Sequence, residues 1–184
     1  MTMATPTATR SPIDRLDGIG LPTKRDEAWR YAPHRLLGEL TFGASVASPE
    51  ALDLDLDALL PGLDGPRLVV VNGAVDHERS VLPAVDGVAV SALVAAPADA
   101  ARVHTERLDD EISDAYMALE LAYGSDGAFV DVAAGAVVDV PFKVVHVAVR
   151  GATANTSCSG VLFRRGAASR ATVVESRIGV GKDV

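Results

Sequence analysis

The stretch "GAFVDVAAGAVVDVPFKVVHVAV", Gly127 to Val149, decides how the chain reads. It holds two apolar runs rich in valine, a β-branched residue that packs well on a pleated surface. Ala-Ala-Gly stands between them, where an extended chain has to turn. The plan comes again at "GVLFRRGAASRATVVESRIG", Gly160 to Gly179. Aligning Gly135 with Gly166 places Val132, Ala136 and Phe142 against Phe163, Ala167 and Val173. Short strands broken by Gly-Ala corners, with no helix between them, predict the stacked coils of a β-solenoid. A β-sandwich would show strands of similar length, and the residues alone leave that alternative open.

Upstream, "DDEISDAYMALELAYG" predicts a helix: Ile112, Tyr116, Leu119 and Tyr123 recur at helical spacing, and Gly124 can end it. In "PRLVVVNGAVDHE", Leu68 to Val71 is a β run and Asn72-Gly73 is a strong hairpin signal. "GVAVSAL" predicts another short strand. "LDLDLDALLPGLDG" alternates like a strand, but aspartate is a poor strand former, so a short helix from Asp57 is as good a reading. In "GLPTKRDEAWRY", Gly20 to Tyr31, Thr23 can cap a short helix that Pro33 stops.

Composition narrows the function classes. The chain has 184 residues, 48% of them hydrophobic, and a net charge of −8. An acidic chain without a basic block is ill-suited to nucleic acid. A single cysteine excludes an internal disulfide and a thiolate cluster site made by this chain alone. No apolar run reaches the length of a membrane span. The opening "MTMATPTATRSP" has no apolar core and reads as a frayed cytoplasmic N-terminus rather than a secretory signal.

Motif-like features fail on their chemistry. Asp53, Asp55, Asp57 and Asp64 imitate a calcium loop, but Ala58 replaces its glycine and Asp64 its bidentate glutamate. "SRIGVGKD" imitates a phosphate loop, but Ser176 replaces the first glycine and Asp183 the hydroxyl residue. His34, His77, His104 and His146 are scattered without ligand spacing, and His146 reads as a packed strand residue. No serine sits in a nucleophile elbow. Cys158, in the small polar stretch "NTSCSG", reads as a loop residue without a feature that lowers its pKa.

The order of these pieces carries a resemblance. "P-x-K-x-x-x-x-W-x-Y" comes first, then "LVVVNG", then "DAYMALELAY" running into "DGAFVDVAAGAVVDVPFKVVHV", and last "GAASRATVVES". From about Gly20 onward this resembles the SufB/SufD family of iron–sulfur cluster assembly, and the opening motif looks more like SufD than SufB. The resemblance implies an N-terminal mixed region, the start of a right-handed parallel β-helix, and a non-enzymatic scaffold role in the SufBCD complex. It implies two partners, a SufB-like solenoid subunit and the SufC-like ATPase, met mostly through regions beyond residue 184. The family's cluster-building residues lie late in the solenoid, so none carries over. No catalytic, cofactor-binding or metal-binding residue is therefore expected here, and the cluster is handled by the full complex.

Three regions are expected on that basis: a disordered tail at 1–19, a mixed helical and strand region at 20–125, and a truncated β-helix start at 126–184. Trp29 and Tyr31 are expected to dock the N-terminal segment by burial, with Lys24, Arg25 and Arg30 lying over them. The same five residues could instead form a partner-contact patch. The functional alternatives are a carbohydrate-active β-helix enzyme, for which the secretion signal is missing, and a generic solenoid interaction module.

Overall fold

The computed structural model describes residues 17–21, 23, 25–27, 30–31, 55–60, 62, 65–82, 84–103, 115–149 and 156–180. In chain order these form helix α1 (Leu56–Leu59), strands β1 (Arg67–Val71), β2 (Ala74–Val81) and β3 (Val88–Ala92), and helix α2 (Ala115–Tyr123). Strands β4 (Gly124–Val132), β5 (Phe142–Val149), β6 (Cys158–Arg165) and β7 (Val173–Val180) follow. The protein is mainly β. One sheet has the order β2-β1-β5-β7, and the other β3-β4-β6. Both are mixed: β1, β5 and β7 run parallel, as do β4 and β6, while β2 and β3 are antiparallel neighbours at one end.

The predicted hairpin forms as expected. Asn72 and Gly73 both have positive φ, 48° and 84°, the backbone that a two-residue turn between twisted strands requires. Asn72 does more than turn the chain. Its Nδ2 donates to the Val149 carbonyl at 3.1 Å, and its Oδ1 accepts from the Val149 amide at 2.8 Å. The side chain thus continues the β1–β5 ladder where the backbone has left it. Between Arg67 and Val69 of β1, the register with β2 slips, from Val81 to Asp76. Asp76 holds the slip, accepting from the Glu78 and Arg79 amides and from the Arg79 guanidinium at 2.6 Å.

The core lies between the sheets. Leu68, Val70 and Val144 from the first sheet meet Ala128, Val130 and Val132 from the second, with Phe142 at the margin. A second cluster covers the outer face of the first sheet, where α1 lays Leu56 on Val69, Val71, Val145 and Val147. Strands β1 and β5 are therefore buried on both faces, which is why they read as unbroken valine runs rather than alternations. The choice left open around Asp57 resolves as a helix over the described residues Leu56–Leu59. Asp55 is its N-cap, its carboxylate accepting from the Ala58 amide at 3.0 Å, which makes aspartate useful where a strand would waste it.

The internal repeat is real, but its alignment needs correction. Phe142 does pair with Val173. Val132, however, pairs with Arg165 rather than Phe163. The spacing is 33 residues at Gly127–Gly160 and 31 at Phe142–Val173, because the first copy carries two more residues after the corner. Gly135 and Gly166 are not equivalents. Gly135 has φ 73°, and the matching position in the second corner is Ala168, with φ 56°. Gly166 serves a different need: a Cβ there would run into the Ala134 backbone amide of the corner beneath it. Ser169 braces the second corner, its hydroxyl donating to the Gly166 carbonyl at 2.7 Å.

Two further expectations change. The stretch around Cys158 is not a loop, since Cys158 opens β6. The tail drawn through residue 19 meets helical residues at 17–19. Ile112 lies outside the described residues; of the expected helix, α2 places Leu119 in the interior and passes directly into β4 at Gly124.

Candidate functional site

Inward positions grow more polar along the stack. One column runs Leu68, Val144, Glu175; the next runs Val70, His146, Arg177. In the facing sheet Asp126 is followed by Ser159. These side chains converge at the end marked by β6 and β7. Ser159 Oγ lies 2.6 Å from His146 Nδ1. His146 Nε2 lies 3.0 Å from Glu175 Oε1, at ion-pair distance but out of line for a hydrogen bond. Arg177 in turn binds Glu175 Oε1 at 2.6 Å. A cleft of about 340 Å³ opens beside them, lined by Val70, His146, Ser157, Ser159, Arg177 and Ile178 among others.

The electrostatics follow from burial. His146 is 6% exposed, as its place in the strand pattern predicts. Burial pushes its pKa below the ordinary histidine value, the Arg177 charge adds to this, and Glu175 opposes both. Cys158 lies beside Ser159 on the opposite face of β6. Burial raises its thiol pKa, Glu120 raises it further, and Arg177 opposes. A raised pKa keeps the thiol protonated and unreactive at neutral pH.

A pH dependence follows. The unfolded chain takes up the His146 proton near the ordinary value, while the folded chain resists it until lower pH. The folded state therefore binds fewer protons in that interval, and its stability falls as pH drops below about 6.5. Urea midpoints taken at about pH 7.5 and 5.5 should show wild type losing more stability than His146→Gln. An equal loss in the two proteins would mean that His146 ionises as freely folded as unfolded.

A second polar cluster lies on the outer face of the other sheet. Arg164 clamps Asp131 through two hydrogen bonds of 2.9 and 2.6 Å, reaches Asp99 at 3.1 Å, and stacks over Phe129 at 5.3 Å. The Arg164 guanidinium holds the Asp131 carboxyl below its usual range. All three charges are satisfied among themselves, so the arrangement staples helical residues 98–103 to the β4–β6 sheet.

Three of the five residues expected as a docking or partner patch, Arg25, Arg30 and Tyr31, are among the described residues. Lys24 and Trp29 lie outside the described residues. Arg25 and Arg30 are exposed, and Arg30 pairs with Glu27 at 3.2 Å. Tyr31 is 94% exposed, which corrects its expected role as a buried anchor: a ring in solvent gains nothing from docking. The Thr23 reading survives in part. Its hydroxyl accepts from the Arg25 amide, and Asp26 reaches back to the Thr23 amide at 2.7 Å.

Sequence reasoning treated His146 singly and did not reach Ser159, Glu175 or Arg177. The signal was present in "VVESRIG", where charged residues at alternate positions, Glu175 and Arg177, share a face with Val144 and His146 one coil earlier. Among the described residues, no group of three or more His, Cys, Asp or Glu side chains could hold a metal ion. No helix among them is long and apolar enough to cross a membrane. No protein-family model matches the chain, and no curated protein matches it.

Proposed function

We propose that the chain is part of a cytoplasmic scaffold subunit of iron–sulfur cluster assembly, of the SufB/SufD type and closer to SufD. In this reading the two sheets are the opening coils of a right-handed parallel β-helix. One observation carries it: β1, β5 and β7 stack in parallel on one face while β4 and β6 stack in parallel on the other, and the pairs β4–β6 and β5–β7 recur at spacings of 33 and 31 residues. A sandwich built from hairpins would pair neighbours in sequence, whereas here each strand of the repeat pairs with its counterpart one repeat away. Both stacks finish on strands, β6 and β7, with one edge unpaired among the described strands. Such edges accept further strands.

The scaffold reading predicts its partners. Affinity capture of the protein expressed from its own gene should bring down a second solenoid subunit of the same family and an ATPase subunit. Recovery of neither, with the bait intact, would sink the assignment. Recovery of other stable partners would favour a general interaction module.

A further inference from the structure

The His146 cluster brings together a hydroxyl, a base within hydrogen-bond reach of it, and a carboxylate beside the base's second nitrogen, the kinds of group that make a hydroxyl nucleophilic. Glu175 settles which nitrogen carries the proton. The Glu175 carboxylate lies 3.0 Å from Nε2, out of line for a hydrogen bond, so its negative charge favours a proton on Nε2 over a lone pair there. Nε2 is therefore protonated, Nδ1 offers its lone pair, and Ser159 is the donor in the 2.6 Å contact. Burial keeps the imidazole neutral, the form that accepts a proton. Ser159 is half-buried and lines the cleft, so a small molecule has a route to its oxygen.

We propose that Ser159 is a base-activated nucleophile that takes acyl groups from small activated esters or thioesters. Its Oγ attacks the carbonyl carbon and its proton passes to His146 Nδ1. The bond to the leaving group breaks, and the departing alkoxide or thiolate takes that proton from His146. Ser159 is left as an ester. Water attacks this ester with His146 again as base, releasing the carboxylic acid and restoring the hydroxyl. The Arg177 guanidinium at the cleft wall favours the oxyanion that forms on the way. Val70, on the same wall, suits a short acyl chain. This reactivity lies beyond the scaffold role and does not depend on it.

The test uses the 184-residue chain with 4-nitrophenyl acetate and, separately, a fluorophosphonate probe, with adducts located by mass spectrometry. Ser159 is expected to react about 100-fold faster than its neighbour Ser157, the lower end of what a positioned base supplies. The rate should hold through the ordinary histidine value and fall only at lower pH, where the buried His146 takes up its proton. Ser159→Ala should remove the adduct, and His146→Gln should bring the Ser159 rate down to that of Ser157. Modification of Ser159 no faster than of Ser157 overturns the proposal. So does a rate that stays level down to the lowest pH at which the protein remains folded. Should His146→Gln fold poorly, the wild-type pH profile decides alone.

Discussion

Gly127→Ala is expected to destabilise the protein by roughly 3 kcal/mol, the upper part of the range for forcing a methyl group into a packed site. The reason lies in the ladder between β4 and β6. The register slips between Gly124 and Asp126, which leaves Ser125 as an extra residue. Asp126 steadies the slip by accepting from the Gly127 amide at 2.8 Å and the Val94 amide at 3.0 Å. That geometry brings Gly127 against the backbone of Gly160, and a Cβ would overlap the Gly160 carbonyl oxygen. Backbone cannot rotate away as a side chain can. Gly135→Ala is the control, because no atom lies within 4 Å of its Cβ position and only the positive φ opposes it. It should cost about 1 kcal/mol, and the protein itself carries Ala168 in that conformation one repeat later. Equal urea midpoints for the two variants would mean that the strands can part at Gly127 without penalty.

Leu68→Ala should cost about 4 kcal/mol, near the top of the range for such truncations in a core. Leu68 is fully buried between the sheets, against a cluster that includes Val130 and Val144. Its neighbours sit on strands held by ladders on both sides, so the cavity cannot close by collapse. Denaturant titration should show a lower midpoint at an unchanged slope. A loss below about 2 kcal/mol would show that the sheets can slide together across the gap.

Fold features set by local chemistry were legible in the sequence. Asn72-Gly73 needs only its own φ angles to make a turn, and the valine runs need only burial to make strands. Features set by register were not. Gly135 and Gly166 look alike on the page, yet one answers to a backbone angle and the other to the coil beneath it. Two extra residues after the first corner move the true match by two, and no single-chain pattern distinguishes insertion from drift. The candidate site was hidden for the same reason. Ser159, His146 and Glu175 come from three strands, and only the pairing of β5 with β7, and of β4 with β6, brings them within reach. The exposed Tyr31 shows the opposite error: large aromatic area is an opportunity for burial, not proof of it.

The place of β1 in its sheet has a consequence in time. Its partner β2 follows within a few residues, so that hairpin can close within microseconds of both strands emerging from the ribosome. Its other partner is β5, and Arg67 waits for Lys143, about 75 residues later. At roughly 5–20 residues per second, that wait is several seconds. Leu68 to Val71 end among the most completely buried residues of the protein. During translation they stand uncovered along one strand edge for most of that period. The interval in which the nascent chain can join the wrong neighbour is thus fixed by the speed of synthesis, not by the stability of the finished fold.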